Sequence, residues 1–356
     1  MNEYSEANRQ SGRRVKGREP LVNRLFLAIT VLYILVSTLF VVLAARGVSL
    51  NLPLVLGLIS GELVLLIPAA VYVICARPKL RRLSERWKLP IAAVPLLILM
   101  AYCILPLISL VNVISMSLSG ENAAVSLLSP MQRLPLWVSL LCVSVLPGFL
   151  EEFIFRGLFY GAYRKRRVWG AIFTSALLFG LMHMNLNQLC YAFVMGVLFC
   201  LLYEGTGSLL ASMLIHAVYN GNSVLLMYLM DETSALEAES AALAGQMMGG
   251  AAGTQMLFIL IILAIAALVG LAAAGGLYVA VVKVCGRGPY VKLLFQKNAI
   301  EKRRALAADS KSEGPAAAVD MAEAEETGNT KRLWGPFLWG GVLLSVGVIV
   351  WNLLAL

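Results

Sequence analysis

Long apolar runs separated by short polar segments dominate the chain, at about 25–45, 52–76, 90–114, 135–160, 168–184, 187–204, 207–230, 255–283 and 334–355. An α-helix needs about 20 apolar residues to cross about 30 Å of hydrocarbon at about 1.5 Å per residue, so each run predicts a membrane span. The expected fold class is therefore all-α, a polytopic transmembrane helical bundle of about nine spans. Between about 305 and 331 the pattern changes to Ala, Glu, Asp, Ser and Gly with almost no large apolar residues. Such a stretch cannot bury enough surface to fold alone and is read as a flexible cytoplasmic linker. Three regions follow: N-terminal helices with a basic tail (1–130), a helical core that carries the unusual polar residues (131–230), and C-terminal helices with the linker (231–356).

Composition removes the soluble alternative: of 356 residues 60% are hydrophobic and only 14% charged, with a mean hydropathy of +0.81. The net charge of +9 does not point to nucleic acid, because the basic residues gather at segment ends instead of along one amphipathic face. They read as orientation signals. Arg9, Arg13, Arg14, Lys16 and Arg18 precede the first span, and Arg77, Lys79, Arg81, Arg82, Arg86 and Lys88 follow the second. Two spans between two basic loops predict a cytoplasmic N-terminus by the positive-inside rule. The same count puts Arg164–Arg167 and the Lys and Arg residues after Lys283 inside, and the acidic stretch Asp231–Glu239 outside.

The six cysteines form no CxxC pair, so they are read as small hydrophobic packing residues. The first apolar run is long and lacks a small-residue cleavage site, so insertion through uncleaved helices is expected. Gly157 and Gly161 give a small-xxx-small spacing, read as helix packing. No internal repeat is visible, which argues against an inverted-repeat transporter.

Against this background the polar residues inside the runs stand out. Span four contains Glu151, Glu152 and Arg156, and isolated charges there would cost about 2.5–3.5 kcal/mol each. Glu152 and Arg156 are four apart and share a helix face, which predicts an ion pair. Glu151 is turned about 100° away, and an unpaired carboxylate in a dry or half-wet cavity suits general acid or base work near neutral pH. Pro147 removes a backbone hydrogen bond to the Val143 carbonyl, and a kink is expected there. The chain's two histidines both lie in apolar runs: His183 follows Phe179 by one turn, and Asn220 follows His216 by one turn.

Depth along each span gives an independent test. Measured from the cytoplasmic ends at about 1.5 Å per residue, Glu151, His183 and Asn220 all lie about 20–22 Å in, with His216 about one turn shallower. Polar groups from three helices converge on one layer, as a site inside a bundle requires. A carboxylate beside a histidine can take a proton from water, while a second histidine and an amide can donate to an oxyanion. That describes peptide hydrolysis by water. Ser212 and Ser223 have no evident His-acid pairing, and no reactive Cys is apparent. Two His and a Glu can also ligate zinc, although no HExxH occurs. If a divalent metal such as zinc is present, Glu151, His183 and His216 are its ligands; metal-bound and metal-free chemistry both stay open.

The run EEFIFRG (Glu151 to Gly157) resembles the EExxxR signature, FGLMH (Phe179 to His183) the FxxxH signature, and TGSLLASMLIHAVYN (Thr206 to Asn220) the HxxxN signature of the CPBP family of intramembrane proteases. This family is also called the CAAX amino-terminal protease or Abi family and includes the type II CAAX prenyl endopeptidases. The motifs cover about a quarter of the chain, roughly 135–225. The resemblance implies that Glu151 activates water with help from His183, that His216 and Asn220 stabilise the oxyanion, and that Glu152, Arg156 and Phe179 support them. It also implies a peptide or membrane-protein substrate and a multi-pass location in the cell membrane, read as a bacterial plasma membrane. Prenylated substrates are not assumed. Two rival readings are a non-proteolytic immunity or scaffold protein, and a proton-coupled transporter that uses the same Glu and His residues. Glu62, an acid in span two outside every motif, keeps the transporter in view.

Overall fold

A computed structural model describes residues 20–48, 53–76, 87–119, 133–164, 168–229, 250–293 and 333–355. The N-terminal basic tail, most of the basic loop 77–88, the acidic stretch after Asp231 and the linker at 305–331 fall outside these residues. With no water in hydrocarbon, a chain must satisfy its backbone polar groups internally, and the described residues do so as helices. They are α1 (Val22–Ala45), α2 (Leu54–Ala76), α3 (Ala93–Ser119), α4 (Leu136–Tyr163), α5 (Val168–Leu181), α6 (Leu186–Thr206), α7 (Leu209–Leu229), α8 (Gly250–Val284), the short α9 (Gly288–Leu293) and α10 (Pro336–Ala355).

Eight of these helices are long and apolar enough to cross a membrane. Their outer faces carry exposed Leu35, Val41, Ile67, Ile74, Leu268 and Leu354, which water would penalise and lipid accepts. The chain is a multi-pass membrane protein. The bundle of about nine apolar helices is present, and the run at 168–184 is its short member: α5 has 14 residues, about 21 Å at the α-helical rise. It ends at Leu181, two residues before His183, and a tight turn leads into α6. Asn185 is the reason the chain restarts there. Its side chain accepts from the Gln188 N–H at 2.7 Å and caps α6.

α4 also carries a feature that the pattern did not announce. Two π-helical stretches, Leu141–Val145 and Phe153–Tyr160, lie on either side of Pro147. Such wider turns are frequent at functional sites. Gly148 brings α4 and α7 together, since a Cβ there would sit 3.2 Å from the Met213 carbonyl and the Ala217 nitrogen. Gly161, by contrast, meets only its own helix, with the Arg156 carbonyl at 3.7 Å from the place of a Cβ. The TGS segment is the α6–α7 corner: Gly207 takes φ +69, Ser208 donates its N–H to Thr206 Oγ1 at 3.1 Å, and Ser208 Oγ accepts from Leu210 N at 3.2 Å.

Side-chain polar links tie the ends of the bundle. Glu204, fully buried on α6, accepts from Tyr160 Oη at 2.7 Å and Arg164 Nε at 2.8 Å. Asn23 joins α1 to the start of α10 through the Leu333 carbonyl at 3.0 Å and accepts from Tyr163 of α4 at 2.6 Å. The cysteines are free thiols; Cys142 and Cys200 are buried, whereas Cys75 is exposed on the outer surface and does not pack.

Candidate active site

Pairing inside α4 starts the site. Arg156 Nη1 donates to Glu152 Oε1 at 2.7 Å, and both side chains are fully buried. The four-residue spacing delivers the ion pair it predicts. Two aromatic rings finish the burial of the guanidinium: Arg156 Cζ lies 4.4 Å from the Phe179 centroid and 4.8 Å from that of Phe199. Phe179 thus sits at the junction of three partners, edge-on to His183 at 5.3 Å and to His216 at 5.9 Å.

His216 comes in from α7. Its Nδ1 donates to Glu152 Oε1 at 3.1 Å, its ring stacks on Phe199 at 5.1 Å, and its Nε2 lies 3.7 Å from Glu151 Oε2. The carboxylate behind the ring therefore fixes which nitrogen faces Glu151, an arrangement that orients imidazoles in many catalytic sites. Sequence spacing read His216 only as a partner of Asn220; its contacts with both glutamates come from the α4–α7 crossing.

His183 stands on the turn after α5, not within a helix. Its Nδ1 donates to the Phe179 carbonyl at 2.9 Å, so the i, i+4 relation is realised as a cap on the helix end, and Nε2 is left as the acceptor nitrogen. Because α5 stops short, this turn lies inside the bundle. Asn220 has a job the motif does not reveal: its amide donates at 3.1 Å to the Val143 carbonyl, the group to which Pro147 cannot donate in an α-helix. Ser212 and Ser223 donate to carbonyls of their own helix, Leu209 at 3.0 Å and Tyr219 at 3.4 Å, instead of to a histidine base.

Glu151, His183, His216 and Asn220 all line one cavity of about 360 Å³, a size suited to a small ligand or a short piece of peptide. Its wall also includes residues that no motif marks, among them Glu62 and Leu58 of α2, Asn112 of α3, and Tyr191 and Met195 of α6. Glu62 is the important addition. It is 9% exposed and its carboxyl group faces the same cavity as Glu151, close enough for the two acids to interact. Its signal in the sequence is a lone acid in an apolar span; nothing there indicates its partner. Phe199 leaves no signal at all, being one apolar residue among many.

A zinc set is not assembled. His216 Nε2 and Glu151 Oε2 are neighbours, but among the described residues no group of three His, Cys, Asp or Glu side chains is placed to hold a metal ion. Catalytic zinc needs three protein ligands, so no step is routed through a metal.

Residues 133–221 match the family described as type II CAAX prenyl endopeptidase Rce1-like. Over 122 residues the chain is 31% identical to "Putative membrane peptidase YdiL" of Bacillus subtilis (strain 168), an alignment that takes in 34% of this chain and 48% of that protein. The chain thus spans about half the length of the curated relative it matches. No solved structure matches. Three motifs around one cavity, in the segment that the family comparison picks out, lead to one conclusion: residues 133–221 are similar to the CPBP, or CAAX protease, family.

Proposed function

We propose that the protein is an intramembrane endopeptidase that cuts a peptide or membrane-protein tail with a water molecule activated by Glu151. The observation that carries this reading is the shared cavity: a carboxylate, two histidines and an amide from α4, α7 and the α5–α6 turn face the same space. Water held between Glu151 and the acceptor nitrogen of His183 loses a proton to Glu151 as its oxygen attacks the peptide carbonyl carbon. The oxyanion then receives hydrogen bonds from His216, which Glu152 holds through Nδ1, and from the second N–H of Asn220. Each such donor is worth about 3 kcal/mol of barrier. The C–N bond breaks as Glu151 returns its proton to the leaving amine. A bacterial plasma membrane and a cytoplasmic N-terminus complete the proposal, the first from the Bacillus relative and the second from the basic segments. Purification in detergent with metal analysis, then peptide-library cleavage, tests it. Glu151→Ala and His183→Ala are expected to lose cleavage at least a hundredfold at unchanged expression, and a Glu151→Ala protein of full activity would sink the reading.

One observation favours a second reading. Two acids, Glu62 and Glu151, on the wall of one cavity are also what a proton relay in a transporter would use. Proton uptake by proteoliposomes that survives loss of His183 would support it.

A further inference from the structure

The turn that presents His183 is held from outside the family's matched segment. Met184, the next residue, is 1% exposed and takes φ 55, a left-handed conformation that a side chain with a Cβ adopts only under constraint. The N–H groups of the turn bond back to α5, His183 to the Gly180 carbonyl and Met184 to that of Leu181, both at 3.2 Å, and its own carbonyls, in a buried position, need side-chain donors. Asn185 supplies one, donating Nδ2 to the His183 carbonyl at 3.3 Å. The Met184 carbonyl receives the other from far along the chain: Asn352 Nδ2, in the last turns of α10, donates to it at 3.1 Å.

α10 is well anchored for such a task. Beside its start, Trp334 Nε1 donates to Thr174 Oγ1 of α5 at 3.2 Å, and Arg24 of α1 lies over Phe337 at 4.8 Å. The helix is therefore fixed to α5 near one end and to the α5–α6 turn at the other. Residues 336–355 lie outside the matched segment 133–221, and α10 contributes no lining to the cavity.

We infer that Asn352 is a positioning residue for His183: by holding the Met184 carbonyl it fixes the left-handed turn and so the direction of the imidazole. This rests on the proposed hydrolytic reading for its effect on turnover, but not for its effect on the ring itself. Losing the amide leaves the Met184 peptide to rotate toward another donor, and the adjacent His183 backbone rotates with it. Displacements of about 1 Å at a catalytic group cost up to about a hundredfold in rate.

The test uses the full chain in detergent micelles, with 15N-labelled histidine reporting on only two residues, His183 and His216. In Asn352→Leu the His183 ring signals are expected to shift or broaden while those of His216 stay in place. On a peptide that the unaltered protein cleaves, kcat is expected to fall ten- to a hundredfold with KM changed less than twofold. Asn352→Gln, which keeps an amide on a longer arm, is expected to recover part of the loss. If Asn352→Leu does not fold, Asn352→Ser, whose hydroxyl is too short to reach the carbonyl, takes its place with the same readouts. Unchanged His183 signals, or equal changes at both histidines, would overturn the inference. If no peptide is cleaved by any form while the His183 signals still move, the hydrolytic reading has failed and the positioning role stands.

Discussion

Glu152 carries two loads through a single oxygen, and separating them gives the sharpest prediction. Its Oε1 accepts from Arg156 at 2.7 Å and from His216 Nδ1 at 3.1 Å. Glu152→Leu strands a fully buried guanidinium; removing one partner of a buried pair costs about 3–5 kcal/mol. The faces of Phe179 and Phe199 cover Arg156 with or without Glu152 and so leave this difference unchanged. A loss of about 3–5 kcal/mol lowers the melting temperature by roughly 6–20 °C at about 2–4 °C per kcal/mol. The double variant Glu152→Leu with Arg156→Leu replaces the pair by apolar volume and is expected to recover most of that loss. It should not recover cleavage, because His216 still lacks the acceptor that turns Nε2 toward Glu151. Thermal unfolding in detergent, followed by tryptophan fluorescence, and peptide cleavage on the same samples check both halves. A double variant as unstable as the single one would refute the stability argument, and one that cleaves at full rate would refute the role given to Glu152.

Other consequences are as direct. Glu62→Leu removes the second acid facing Glu151 across the cavity and is expected to slow cleavage about tenfold, the equivalent of about 1.4 kcal/mol, whereas Glu62→Gln keeps a polar group there and retains more activity; equal rates for the two would show that a polar side chain at this place does not matter. Asn220→Leu frees the Val143 carbonyl at a cost of about 1–3 kcal/mol. Adding Pro147→Ala restores an α-helical donor to it, so melting temperature should rise again while cleavage stays low. Gly148→Leu forces apart the α4–α7 crossing and should weaken cleavage more than Gly47→Leu, even though Gly47 has φ +72 and open space around it; matched losses in the two would remove the crossing from the account.

What could be read from the chain alone was what depends on neighbours in sequence. Apolar runs of spanning length force helices, since hydrocarbon offers a backbone no other partner, and eight such helices are present. Glu152 and Arg156 pair as their spacing dictates, and the need of the Val143 carbonyl for a donor other than residue 147 follows from Pro147. The termination of α5 was not legible in this way. FGLMHMN contains no proline or positive-φ glycine after Leu181; the stop depends on Asn185 capping the next helix and on Asn352 catching a carbonyl from a helix at the other end of the chain. The same limit hid the meeting of Glu62 with Glu151 and of His216 with both acids of α4. Lipid drives helix formation but supplies little preference for which helix faces meet, so small residues at crossings and interhelical hydrogen bonds decide that. The sequence by itself thus determined a membrane bundle with a few costly polar side chains, and only the tertiary structure decided which of them share a cavity and what holds each one in place.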